Sequence, residues 1–556
     1  MITKNKFYIS IVALIVFISS CNTGKKKVEY IYYNAQIITM NDSLPSASAI
    51  AIDQGKIVAI GGNEILETYK AEEANTIDLK QQYVYPGLID AHCHYYGYAK
   101  TLMSCDLVGT KSWEEVLSRL SEFAKTNGSE WITGRGWDQN DWANKEFPDN
   151  SELNKLFPNR PVILKRIDGH AAICNNKALE LAGILPEPAI KVNVIMDGGE
   201  IIRKDGMITG VLIDNAVDKV EKIITPPGKS ELIKALKQAE KDCYKNGLTT
   251  LADAGLDIKE CLFLDSLHDA GDLSIYLYMM LNPNEANMEY AKRLGIYESD
   301  NGKICSFKLY ADGALGSRGA RLKQDYCDRH GHSGAMMHPA NYYDSFARMA
   351  FAFTKYQVNT HAIGDSANSM LLNIFSKFLP KGNDLRWRIE HAQIVDMRDM
   401  NKFSEYGIIP SVQPTHATSD GPWVEQRLCK DRLAGAYAYK SLLGQNQYIA
   451  LGTDFPVEYI SPIYTFYSAV FRESATTEGQ GSFLLAEQLT PEQALKGMTV
   501  WAAKACRLEH RKGQLKPGMD ADMTILDKNL LKASKAEVKA TKVVRTVRAG
   551  KTVYGG

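Results

Sequence analysis

Four histidines and an aspartate, set far apart in the chain, are the residues best suited to joint chemistry: His92, His94, His361, His391 and Asp454. The first two form a His-x-His pair at the end of Tyr83-Val84-Tyr85-Pro86-Gly87-Leu88-Ile89-Asp90-Ala91-His92-Cys93-His94. Side chains alternate along an extended strand, so His92 and His94 point one way and Cys93 the other. Two imidazoles on one face can share a metal ion. Lys308 lies within a later strand-like stretch, His361 and His391 each close one, and Asp454 follows another in Ala450-Leu451-Gly452-Thr453-Asp454. A lone histidine serves packing or the surface more often than a metal. Four of them at strand ends, with an aspartate, favour one centre ringed from distant segments. A divalent cation there, zinc first among the candidates and one or two ions in number, would lower the pKa of bound water toward about 7 and polarise a carbonyl. Asp454 would accept the proton and pass it to the leaving group.

Such a gathering needs a scaffold whose strand ends converge. From Ser230 onward helical and strand-like stretches alternate, with strands predicted at Leu248 to Ala252, Ser274 to Met280, Ser306 to Ala311, Gln357 to His361, Arg386 to His391, Ile408 to Val412 and Tyr448 to Leu451. Adding Val84 to Ile89 gives eight, which fits an α/β fold of the (β/α)8 TIM-like type, with its site at the C-terminal ends of the strands. An open doubly wound sheet is the rival, but no GxGxxG turn follows an early strand. Both ends of the chain are strand-rich, which predicts a small β-sandwich built from residues 29–82 and 506–556 around a barrel of 83–505. Residues 103–229 read as an insertion after the first barrel strand. It holds an amphipathic helix from Trp113 to Thr126, a strand from Pro161 to Ile167 and a hairpin from Gly198 to Leu212, and should supply substrate contacts beside the barrel mouth.

Composition narrows the partners. Lys+Arg and Asp+Glu both number 65, so no electrostatic signature of nucleic-acid binding exists. The ten cysteines show no CxxC or zinc-finger spacing, and buried single thiols are expected rather than a disulfide scaffold. Lys4 and Lys6 precede an apolar run from Phe7 to Ile18, too short for a bilayer anchor but suited to a signal peptide over residues 1–20. Ile18-Ser19-Ser20-Cys21 resembles a bacterial lipobox, which would make Cys21 the lipidated first residue of an exported protein, followed by a solvated tether over 21–28. An ordinary cleaved signal peptide is the alternative. Membrane association is then expected through the lipid anchor alone.

Together these residues resemble a known group. His92-x-His94, Lys308, His361, His391 and Asp454 match the ligand order of the amidohydrolase superfamily. Gly134-Arg135-Gly136-Trp137-Asp138, Asp168-Gly169-His170, Phe307-Lys308-Leu309-Tyr310-Ala311-Asp312-Gly313 and Gln413-Pro414-Thr415-His416 look like its family 3, in the N-substituted formamide deformylase-like branch. The likeness runs from Glu29 to Gly556. It implies metal-dependent hydrolysis of a small-molecule amide, N-formyl or N-acyl amine. A homodimer is the assembly expected beside it. Hydrolysis of esters, lactones or cyclic imino groups at the same site, and a non-catalytic tethered binding protein, are the alternatives. The resemblance also implies that Lys308 is carboxylated and bridges metals; pairing with Asp312 or a substrate anion is the other reading.

The remaining candidates are less determined by pattern. His416 and His170 sit in what read as polar loops, where each contacts either substrate or backbone. Arg318, in Gly316-Ser317-Arg318-Gly319, binds either a substrate anion or a loop carboxylate, and Trp137 either lines the pocket or packs the insertion. Glu390 should face away from His391 and serve a structural pair. His330, His332 and His338 read as solvated loop residues. Neither Ser317 nor Ser411 has the surroundings of a Ser-His-Asp nucleophile.

Overall fold

The computed structural model describes residues 25–185, 194–196 and 198–555; the lipobox and Cys21 lie outside them. Eight parallel strands stand side by side in chain order. They are β1 (Leu88–Cys93), β2 (Leu248–Leu256), β3 (Tyr276–Leu281), β4 (Gly302–Tyr310), β5 (Gln357–Ala362), β6 (Arg388–His391), β7 (Ile409–Val412) and β8 (Ala450–Leu451). Nearly every residue in them is buried, as expected where helices cover one face of a parallel sheet and side chains fill the interior. The fold is the expected TIM-like α/β barrel.

Closure falls to a few groups, because among the described residues β8 and β1 share no regular ladder. Asp454 donates its N–H to the His92 carbonyl and His94 donates to the Phe455 carbonyl, both at 2.8 Å. The Asp90 carboxylate accepts from the Thr453 N–H (3.0 Å) and hydroxyl (2.7 Å). Gly452 permits the approach: a Cβ there would lie 2.6 Å from the His92 nitrogen and 2.8 Å from Asp90 Oδ1. Gly452→Ala should therefore destabilise the protein by about 1–3 kcal/mol, the usual range for overpacking, read as a lower denaturant midpoint.

The Pro86-Gly87 break is sharper than a kink within one strand. Tyr83–Pro86 belongs to a six-stranded sheet that includes Gln36–Ile38 from one end of the chain and Met523–Leu526, Val543–Arg548 and Lys551–Gly555 from the other. Gly87 donates to the Asp522 carbonyl at 2.8 Å, and a Cβ on it would meet Thr249 Oγ1 at 2.3 Å. Only glycine fits, and the chain passes at that residue from the terminal sheet into β1. A four-stranded sheet, Lys56–Gly61, Ala49–Asp53, Tyr30–Tyr33 and Thr76–Asp78, packs against it through Tyr32, Ile50, Ile52, Met523 and Ile525. The predicted tether is partly ordered, since Lys26–Lys27 pairs with Tyr69–Lys70 and Val28 is buried.

The insertion forms its own seven-stranded sheet, in which Ile132–Trp137 and Val162–Arg166 run parallel. Its predicted helix spans Trp113–Thr126, capped by the Ser112 hydroxyl. One expectation fails nearby. The segment Pro414–Leu428 is a helix rather than a polar loop, with proline at its first turn, where its missing N–H costs nothing. A single disulfide joins Cys327, in the loop after β4, to Cys429 at the end of that helix, while seven other cysteines among the described residues are free and buried, as expected.

Candidate active site

The strand ends meet at one spot. His92, His391 and Asp454 each place a donor atom within 4.8 Å of the others, all buried. Asp454 Oδ1 lies 3.1 Å from His94 Nε2 and 3.6 Å from His92 Nε2, yet has no hydrogen-bond partner. What the rings do at their other nitrogen explains this. His92 Nδ1 faces Glu390 Oε2 at 2.5 Å, His94 Nδ1 faces the Ala254 carbonyl at 3.0 Å, and His391 Nδ1 faces Gln413 Oε1 at 2.7 Å. Each partner is an acceptor, so each Nδ1 carries the proton and each Nε2 keeps a lone pair. Lone pairs and a carboxylate oxygen converging on one space repel unless a cation lies between them, and this arrangement of outer partners is the usual support of metal-binding histidines. The donor set fits a divalent cation.

Electrostatics agree. Burial and the neighbouring Lys308 push His92 down to about 4, and burial holds His361 and His391 well below the ordinary imidazole value, so the rings are neutral, the form that binds metal. Burial opposes the charge of Asp454, but the hydrogen bond from His416 and the neighbouring imidazoles outweigh it and keep the carboxyl ionised. His416 Nε2 meets Asp454 Oδ2 at 3.0 Å and its Nδ1 meets Glu458 Oε1 at 3.2 Å. Burial would depress that imidazole; the two carboxylates instead raise it to about 10.

Lys308 is wholly buried, its Nζ 3.3 Å from His92 Nε2 and 4.5 Å from the centre of the Tyr310 ring. Burial lowers its amine to about 8. Pairing with Asp312 is overturned: that carboxylate accepts from the backbone N–H groups of Arg321, Ile363 and Gly364. His361 stands beside His391, ring centres 4.5 Å apart, and beside His170 at 5.0 Å. His170 Nδ1 meets Asp214 Oδ1 at 2.7 Å. His332 meets the Arg318 carbonyl at 2.8 Å and His338 packs on Tyr342 at 4.2 Å, so both have partners on the chain.

A cavity of about 1070 Å³ opens over this cluster, lined among others by His94, Arg135, His170, Lys308, His416 and Asp454. Two expected substrate contacts lie elsewhere. Trp137 is fully buried in the insertion core, its indole N–H donating to the Leu164 carbonyl at 2.8 Å and its ring against Trp142 and Phe147. Arg318 is held by Asp328 at 2.9 and 3.2 Å and is not in the cavity wall. Arg318→Gln should leave kcat and KM within about two-fold of wild type, as a substitution away from the site does; steady-state kinetics check this.

Pattern reading also misplaced Glu390, which faces the barrel interior and touches His92. His391 ends β6 with φ +71, so the strand's alternation breaks there and both side chains serve the site. The signal was present in Arg388-Ile389-Glu390, whose period of two sets a cation and an anion on one face; Arg388 Nε meets Glu390 Oε1 at 2.6 Å. Gln413, which orients His391, stood in a phrase that resembles the family but with no role attached, and Glu458, which orients His416, carried no sequence signal.

Barrel, convergent lone pairs and ionised aspartate define a metal-dependent hydrolase of the amidohydrolase superfamily. More narrowly, the Amidohydrolase family profile matches residues 75–554, and the chain belongs to that family, amidohydrolase family 3. YtcJ of Bacillus subtilis (strain 168), named as a candidate amidohydrolase, is 31% identical over 534 residues, covering 94% of this chain and 99% of its own. The N-substituted formamide deformylase of Arthrobacter pascens is a more distant relative, 24% identical over 94% of this chain and 97% of its own. The crystal structure of an uncharacterized metal-dependent hydrolase from Pyrococcus horikoshii superposes with a TM-score of 0.72 at 26% identity, covering 92% of this chain and 99% of that one.

Proposed function

We propose that this protein hydrolyses a carbon–nitrogen bond of a small amide, N-formyl or N-acyl amine. The observation that carries the reading is Asp454, whose two oxygens are divided between tasks. Oδ2 is committed to His416, while Oδ1 is buried, unpartnered and turned to the histidine Nε2 atoms. His92, His94, His391 and Asp454, with His361 and Lys308 beside them, would hold one or two divalent cations, zinc foremost. A cation so held supplies Lewis acidity and makes water a nucleophile near neutral pH. Asp454 Oδ1 would be the group that takes a proton from an attacking water and returns it to the leaving nitrogen. His416, charged and lodged between Asp454 and Glu458, fixes the orientation of the Asp454 carboxylate. His170 also lines the cavity.

Lys308 is further proposed as a carbamate ligand, since a buried amine with a lowered pKa is open to carbon dioxide; a crystal structure grown with bicarbonate and metal should show added density on Nζ. Export as a lipoprotein through Cys21 is supported by the leader sequence and by the Cys327–Cys429 disulfide, a bond that persists in oxidising compartments. Replacing Cys21 with Ser should abolish fatty-acid labelling.

The deciding experiment is metal analysis of the purified protein together with turnover on amides, N-formyl amines, esters and lactones. Stoichiometric metal and amide turnover, both lost on chelation and restored by zinc, are expected. Turnover of esters or lactones alone would transfer the reading to those bonds, and bound metal without turnover of any class would make the chain a binding protein.

A further inference from the structure

Arg135 is a cation in the cavity wall that makes no ion pair among the described residues, although Asp168, Asp454 and Glu221 act on it electrostatically. It lies on the insertion strand Ile132–Trp137, next to Gly136, and lines the cavity over the histidine cluster as well as a larger one of about 1250 Å³. Its Nη2 donates to the Ile167 carbonyl at 2.8 Å. Its Nε–H is buried without a partner. The nearest-placed carboxylates are taken: Arg166 meets Asp168 at 2.6 Å and also binds Asp138, and the second Asp168 oxygen accepts from the His170 N–H at 3.0 Å. Gly169, at φ +77, leaves the guanidinium its room, for a Cβ there would sit 3.3 Å from Arg135 Nη1. A guanidinium is permanently charged, and leaving it half-buried with a free donor is costly unless something polar completes it.

We infer that Arg135 is a specificity-determining residue that binds a carboxylate on the substrate, so that the preferred substrates are N-acyl amino acids rather than neutral N-acyl amines. This rests on the hydrolase reading above and deepens it. A planar carboxylate matches the fork of an arginine. The same wall holds His170 and opens on His94 and Asp454, so an anion held by Arg135 places the rest of a small molecule over the convergent donors.

The test uses the zinc-loaded full chain and N-acetyl amino acids, each matched with the N-acetyl amine that lacks the carboxylate. Turnover is measured by kinetics and binding by calorimetry. Wild type should favour the acid of a matched pair by roughly 100-fold in kcat/KM, the scale of losing the partner of a desolvated charge. Arg135→Gln, which keeps a donor for the Ile167 carbonyl, should erase that preference while sparing the neutral amide; Arg135→Lys should retain part of it. Neutral amides turned over as well as acids by wild type, or acid and neutral amide weakened equally by Arg135→Gln, would overturn the inference and leave the hydrolase reading standing. Arginine-dependent binding of the acids without any turnover would do the reverse.

Discussion

Asp454→Asn is expected to abolish hydrolysis, by roughly 10³-fold or more in kcat, the contribution of a positioned general acid–base group, while the protein stays folded and retains most of its metal. The amide keeps the shape of the carboxyl and the hydrogen bond within reach of His416, now 3.0 Å from Oδ2. What it cannot do is accept a proton at the second position. The histidine donors are unaffected, since each is fixed by its own partner, Glu390, Ala254 or Gln413. Metal content and kcat must therefore separate. Near-wild-type turnover would remove Asp454 as proton carrier, and loss of metal in step with activity would make it a ligand first.

The second large effect falls on stability. Arg388 and Glu390 are both fully buried, and Arg388 also donates to the Ala91 carbonyl at 2.6 Å and the Ser411 hydroxyl at 2.7 Å. Burial opposes the charge on Glu390, yet Arg388 and His92 hold its carboxyl well below the ordinary range. Arg388→Met should cost about 3–5 kcal/mol, because it leaves a buried carboxylate without its cation. Arg388→Met combined with Glu390→Leu should recover much of that loss, since no charge is then stranded. The double variant should still bind metal about 10- to 100-fold more weakly, as His92 has lost the acceptor that orients it. Denaturant midpoints and metal titrations measure the two effects separately. A single variant as stable as wild type would show that Glu390 does not depend on Arg388.

The barrel was legible because each strand is a short apolar run bounded by breakers, and the metal-binding candidates fall at the ends of those runs. His92, His94, His391 and Asp454 could be named from spacing alone. Their supports could not: Gln413 and Glu458 act through contacts between segments far apart in the chain, which no local period encodes. Glu390 was misjudged because ideal alternation was extended through His391, where the backbone turns to a positive φ. Trp137 and Arg318 show the opposite error. Trp137 stands in a phrase that resembles the family and Arg318 in a glycine-flanked phrase, but one is packed in the insertion core and the other is neutralised by Asp328. In the first of those phrases it is Arg135, two residues before Trp137, whose side chain reaches the cavity.

The bond between Cys327 and Cys429 spans 102 residues and ties the rim beyond β4 to the rim beyond β7. Closing a loop of that size restricts the unfolded chain by about 4–5 kcal/mol in the chain-entropy account. The same polypeptide made where thiols stay reduced would thus be less stable while carrying identical chemistry. Recombinant material from a reducing cytoplasm and material from an oxidising one should be treated as two different preparations.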